Sequence, residues 1–156
     1  MCIRDRFLDE HFDELDPVVA HRMIGGRKLS APDYFALHRQ WAELRRRLVM
    51  RLADVDALLV PTCPLPSRPL AEVDRTVESY GQHNGRYLRN TAVGNILNLC
   101  GVSVPCGFTR EGLPIGLMVY AKPFQEGMAL RVARAYERAT DWHRRRPELG
   151  WAAGGR

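Results

Sequence analysis

Between Val102 and Val119 apolar side chains fall at alternate positions with one interruption, and that period of two restricts the segment to paired β-strands. Val102, Val104, Cys106 and Phe108 alternate with Ser103, Pro105 and Gly107. Thr109-Arg-Glu-Gly112 then has turn chemistry, with Gly112 suited to positive φ, and Ile115, Leu117 and Val119 resume the alternation. The expectation is a hairpin. Two strands alone are marginally stable in water, so this hairpin needs further strands and helices over its faces. The wider run from Asn90 to Tyr120 is small-residue-rich and punctuated by proline, as a tightly packed sheet edge requires.

Helical spacing surrounds the hairpin. Asp16 before Pro17 predicts a helix N-terminus, and Gly25-Gly26 predicts its stop. Ser30 and Asp33 have the spacing of a capping box, and Tyr34, Leu37, Trp41, Leu44, Leu48, Leu52 and Val55 follow three or four apart. That spacing predicts one long amphipathic helix with a buried stripe. Ala57-Leu-Leu-Val60 is expected as a buried strand, ended by Pro61, Pro64, Pro66 and Pro69, which impose a stiff extended loop. Glu72 to Gly85 lacks a clear period and is expected as a surface loop. Tyr87 to Leu99 regains helical spacing, weakened at Gly94. A last helix from about Gly127 to Asp141 is expected to turn Met128, Val132, Ala135, Tyr136 and Ala139 inward, with Arg131, Arg134, Arg138 and Asp141 opposite.

Composition excludes several classes. Nothing approaches the eighteen or so consecutive apolar residues that cross a bilayer, and the N-terminus lacks the pattern of a secretory signal. A cytoplasmic protein is expected. The net charge of +5 comes almost entirely from arginine, clustered at Arg45 to Arg47 and Arg144 to Arg146 on expected helices. Solvated helix surface explains these clusters better than a nucleic-acid footprint. Cys100 and Cys106 would lie about 20 Å apart on an extended strand and cannot bridge, so they are expected as reduced, small, buried residues. His11, His21, His38, His83 and His143 have no HxxxH or HxH spacing, and neither a metal nor a cofactor is expected.

Four stretches, in order, carry a family resemblance: ALLVPTCP from Ala57 to Pro64, Asn95 with the SVPCG of Ser103 to Gly107, the GLPIGL of Gly112 to Leu117, and ARAYERATDWHRRRP from Ala133 to Pro147. Together they resemble the C-terminal part of the amidase signature hydrolases, over roughly Ala31 to Pro147. The resemblance implies an α/β fold: a C-terminal piece of that architecture, a mixed β-sheet piece with a hairpin flanked by helices. It also implies a reaction, cleavage of a carboxamide C–N bond through a seryl acyl-enzyme. The family performs it with a lysine, a serine on a cis peptide and a nucleophilic serine in a Gly-Ser-rich loop. Ser30, Ser67, Ser79 and Ser103 stand singly, and Lys28 and Lys122 lack the matching context. No catalytic role is therefore carried onto any residue, and the chain alone is expected to be inactive.

Two residues are candidates for contact with a small-molecule amide substrate, Arg89 and Asn95. In the tRNA-dependent amidotransferases, an acidic residue of the amidase-like subunit, shortly before the asparagine matching Asn95, is thought to receive the ammonium of glutamine, where this chain has Arg89. A guanidinium there would repel an ammonium and favour a carboxylate or neutral group. Asn98-Leu-Cys100 also departs from the family's commoner Gly-Leu-Pro. Gly107 and Gly116 are expected where strands pack too closely for a Cβ. Pairing Cys106 with His83 or His143 as thiol and base is disfavoured by the alternating apolar strand.

Three divisions of the chain are expected: a non-native segment over residues 1–6, whose MCIRDR resembles translated adaptor sequence; the amidase-like piece over 7–150; and a frayed tail over 151–156. Two other readings stand beside the amidase piece. One is a fragment of the amidase-like A subunit of a glutamine-dependent tRNA amidotransferase, the other a non-catalytic basic binding module. A homo-oligomer is compatible with all three.

Overall fold

The hairpin forms where the alternation placed it. In the computed structural model, which describes residues 7, 8 and 10–146, β2 (Cys100–Phe108) and β3 (Pro114–Ala121) pair antiparallel, with Val102 opposite Val119 and Val104 opposite Leu117. Gly112 closes the turn at φ 83°, its N–H donating to the Thr109 carbonyl at 3.1 Å. β1 (Leu58–Pro61) adds to the other side of β3, giving the order β1-β3-β2. Pro105 is tolerated because β2 is an edge strand, where a missing backbone donor breaks no ladder. A register shift between Pro105 and Gly107 marks a bulge at Cys106, and Gly107 takes φ 154° there. A Cβ on Gly107 would meet nothing within 4 Å. Its backbone angle, not lack of space, is what calls for glycine.

One face of the sheet is closed by helix Glu126–Ala139. Its buried residues are Ala129 and Ala133, which join Val104 and fully buried Val119 in the core with Val132 and Tyr136 alongside. The expected inward set needs correction: Ala135 and Ala139 are exposed, so the buried stripe is rotated toward Ala129 and Ala133. Alanine at 129 and 133 lets the helix approach the hairpin closely, and Met128, Val132 and Tyr136 are half-buried beside that line. Arg131, Arg134, Arg138 and Asp141 lie exposed as expected. After the helix, Trp142 meets Phe108 at 6.2 Å between rings, and the Arg145 guanidinium stacks 4.6 Å from the Trp142 ring.

The segment before β2 is more helical than its sequence suggested. Glu72 to Gly85, expected as a loop, contributes to short helices Leu70–Val73 and Val77–Tyr87, and Arg89–Leu97 follows directly. Thr76 supplies the missing signal, its hydroxyl accepting from the Ser79 N–H at 3.0 Å as an N-cap. Gly94 is buried because Tyr120 occupies the space a side chain would need: an added Cβ would lie 2.5 Å from Tyr120 Cε1. The Tyr120 hydroxyl donates to the Asn90 carbonyl at 2.9 Å, tying this helix to β3. Asn98 ends the helix at φ 56°, ψ 36°, a left-handed conformation that asparagine tolerates in place of glycine.

Earlier elements are joined more loosely. Asp16 caps Pro17–Ile24 by accepting from Val18 and Val19 at 2.9 and 3.1 Å. Gly25-Gly26 do not stop the chain in a left-handed turn; Gly25–Lys28 continues as a 3-10 turn. Ser30 and Asp33 form the expected cap of Ala31–Arg51. The buried stripe expected on that helix is not found: none of its residues is buried, and Tyr34, Phe35, Leu37 and Leu44 are exposed. An apolar stripe buries only against a partner. Here the partner is chiefly Arg89–Leu97, reached by Arg45 Nε donating to the Ile96 carbonyl at 2.8 Å. β1 likewise is half-buried, with Leu59 exposed, because one of its edges and one of its faces remain open. The accessible surface is 12488 Å². A compact monomer of this mass would expose about 8,000 Å².

Burial pushes the Tyr120 hydroxyl above its ordinary pKa, against a smaller opposing contribution from a backbone hydrogen bond at Gly94. The folded state therefore keeps this proton where the unfolded chain releases it, so stability falls as pH rises past about 10. Tyr120→Phe is expected to lower stability by about 1 kcal/mol at neutral pH by removing the bond to Asn90. The variant should also lose stability less steeply than the parent above pH 10. Urea unfolding followed by circular dichroism at neutral and alkaline pH checks both.

Candidate functional site: the trough under the proline loop

Proline-rich chain is stiff, and three hydrogen bonds fix where this stretch lies. The Thr62 N–H donates to the Gly116 carbonyl at 2.8 Å, continuing the β1 ladder. Asn90 Nδ2 donates to the Pro61 carbonyl at 2.7 Å, and the Tyr87 hydroxyl to the Pro66 carbonyl at 3.1 Å. The loop is thereby pinned to β3 and to the two helices preceding β2. Asn90 thus plays a structural part, its side-chain amide bonded to backbone.

Between this loop and the hairpin lies a trough of ≈ 570 Å³. Pro61, Pro64, Leu65 and Pro66 form one side, and Pro105, Pro114 and Ile115 the other. At its base the Thr62 and Ser103 hydroxyls are 2.6 Å apart, a hydrogen bond across 41 residues of sequence. Gly116 lies directly beneath: an added Cβ would come within 2.7 Å of Thr62 Oγ1 and 2.9 Å of Ser103 Oγ. The close approach expected at Gly116 is there, against this hydroxyl pair. Cys63, Ser67, Tyr87 and Thr109 complete the polar lining, and no lining residue carries a formal charge at neutral pH.

Nucleophilic catalysis needs a nucleophile with a base in reach, and among the described residues no histidine, lysine or carboxylate lines this trough. His83 instead bonds the Ser79 carbonyl through Nδ1 at 2.8 Å, and Lys122 donates to the Ala53 carbonyl at 3.2 Å. Ser30 is a helix cap, and Ser79 donates to the Glu72 carbonyl at 3.2 Å. Burial pushes the Cys106 thiol above its ordinary pKa, which disfavours the thiolate. Among the described residues no group of three histidine, cysteine or acidic side chains could hold a metal ion, and no helix is long and apolar enough to cross a membrane.

The two residues singled out from the sequence lie on one helix but not at one site. Arg89 opens Arg89–Leu97, is exposed, and lines neither the trough nor the second cavity. Asn95 borders that second cavity of ≈ 650 Å³ with Asn98, Phe124, Glu126 and Leu130. The Thr62 and Ser103 pair was missed by sequence reasoning, since two single hydroxyls 41 residues apart carry no local signal. Gly116 was the available clue.

The sequence profile described as Amidase matches residues 6–130. This chain belongs to the amidase family. Among curated relatives, it is 39% identical over 139 residues to the glutamyl-tRNA(Gln) amidotransferase A subunit of a Synechococcus strain, and 38% identical over 138 residues to that of Myxococcus xanthus. These matches cover 86% and 84% of the chain but 26% and 27% of the relatives. The chain thus spans about a quarter of their length. Among solved structures, an amidase superposes with a TM-score of 0.76 at 28% identity, over 88% of this chain and 32% of that one. A Kluyveromyces lactis allophanate hydrolase gives 0.74 at 30% identity, over 85% and 21%. The Thermotoga maritima glutamyl-tRNA(Gln) amidotransferase A subunit gives 0.52 at 30% identity, over 80% and 27%.

Exposed Cys63 and half-buried Cys106 are expected to differ in reactivity. Iodoacetamide at neutral pH should alkylate Cys63 at least tenfold faster than Cys106 in the folded chain, with the difference collapsing in urea; peptide mass spectrometry of timed samples measures it.

Proposed function

We propose that this chain is the C-terminal part of a longer amidase-family enzyme that hydrolyses a carboxamide C–N bond. In that enzyme a serine oxygen attacks the amide carbon, ammonia or an amine departs with a proton, and water releases the acid from the acyl-serine. The serine and its activating groups lie outside these 156 residues, which contribute scaffold and pocket wall. One observation carries this reading: the apolar stripe of Ala31–Arg51 holds no fully buried residue, with Tyr34, Leu37 and Leu44 exposed, although its spacing is that of a buried helix face. The rest of the enzyme would cover it. The family match and the one-quarter span of the curated relatives support the same reading. A cytoplasmic location is part of the same proposal.

The purified 156-residue chain is expected to release no ammonia from propionamide, benzamide or glutamine. A protein carrying the upstream part of the same gene is expected to release it in proportion to enzyme concentration. Ammonia release by the short chain, or none by the longer protein on a broad amide panel, would sink the proposal.

A second reading, a piece of a glutamine-dependent amidotransferase, is favoured by identity to the curated amidotransferase relatives, which exceeds that to the solved amidases. The backbone comparison points the other way, with the TM-score to the Thermotoga maritima protein well below that to the amidase. Superposition reports arrangement in space and identity reports descent, so the two need not agree. Arg89 weighs toward the simple amidase in our reading, although it lines neither cavity of this chain. Were the longer enzyme to bring its substrate to Arg89, the guanidinium would repel the ammonium of glutamine. Arg89→Asp in the longer protein should raise kcat/KM for glutamine about tenfold or more and leave benzamide within a factor of three; unchanged glutamine use would remove Arg89 from the substrate site.

A further inference from the structure

Nothing in the trough can neutralise a charge. Its lining is proline, leucine, isoleucine and valine with scattered hydroxyls, a thiol and backbone. A carboxylate or ammonium seated there would lose hydration without gaining a counter-charge, a cost that grows as the site closes over its ligand. The only paired polar groups at its base are the Thr62 and Ser103 hydroxyls. Either can donate to the other, and whichever accepts keeps its own O–H free, so the pair presents one donor hydrogen beside open lone pairs. A carboxamide presents the complementary set, a carbonyl acceptor next to an N–H donor. A cavity of ≈ 570 Å³ falls within the range of small-molecule sites, about 300–1,000 Å³. Its walls are held in place by the three pinning hydrogen bonds and by proline's fixed φ.

From this juxtaposition we infer that the trough binds an uncharged amide with an apolar body, held by the Thr62–Ser103 hydroxyl pair through the amide group and by the proline walls through the body. The inference deepens the amidase reading and rests on it for the choice of an amide. The neutrality of the site rests on the lining alone. Gly116 belongs to the same device, because any side chain there would displace the pair.

The test is equilibrium binding to the 156-residue chain, followed by protein-observed NMR, with benzamide, benzoate and benzylamine as probes. Benzamide should bind at least tenfold more tightly than either charged analogue. Thr62→Val and Ser103→Ala should each weaken it about three- to tenfold, as removal of one neutral hydrogen bond does. Thr62→Ser, which keeps the hydroxyl, should bind within a factor of two of the parent. Neither hydroxyl is buried, so these variants leave no orphaned polar group inside the fold, and their unperturbed spectra elsewhere report folding. Comparable binding of benzoate or benzylamine would overturn the neutrality of the site. Unchanged benzamide affinity in both hydroxyl variants would overturn the role of the pair, and absence of benzamide binding would overturn the site altogether. Each of these failures leaves ammonia release by the longer protein standing as a separate result.

Discussion

β3 is the strand from which the rest of this structure hangs. Among the described strands it alone has neighbours on both sides, so its backbone groups are satisfied by β1 and β2, and its residues reach the last helix, the helix before β2 and the proline loop. Val119 is sealed between the sheet and the last helix, Tyr120 anchors the helix before β2 through the Asn90 carbonyl, and Gly116 receives Thr62 from the proline loop. Three consecutive layers of contact thus arise from five residues of one strand. A register slip of one residue would send Val119 to the wrong face and Tyr120 away from Gly94, so the register is strongly specified.

The same arrangement explains why the site looks like half of one. Rigid walls need only local chemistry: prolines, a hairpin and three hydrogen bonds place the trough to within ordinary side-chain motion. In the proposed enzyme the nucleophile and its base would come from the rest of the protein, docked on the open faces of this fold. Phe35 at 66% and Phe124 at 93% exposure are large apolar surfaces that water covers at a cost.

Much of the fold was legible in the residues. The hairpin, its turn at Gly112, the caps at Asp16 and Ser30 and the long amphipathic helix all follow from local rules, because period, cap and turn each depend on a few neighbouring residues. The helix over Val77–Tyr87 was missed since Gly81 and Gly85 lowered its apparent propensity, while the Thr76 cap and tertiary contacts outweighed them. The stripe of the last helix was placed slightly off, with Ala135 and Ala139 turned inward in place of Ala129 and Ala133, because several small residues on one helix leave its rotation to the sheet it packs against.

Sequence by itself determined the hairpin, the first strand, the long helix and the last helix in their order, and the family's imprint in the SVPCG and GLPIGL stretches. It also determined that no charged group would fall among the residues of the proline loop from Pro61 to Ser67. Only the tertiary structure decided that Thr62 and Ser103 meet, that Gly94 yields its space to Tyr120, and that the Ala31–Arg51 stripe is only partly covered. Local rules act through a few bonds of chain, but these three outcomes depend on which surfaces a paired β3 brings together and which it leaves without a partner.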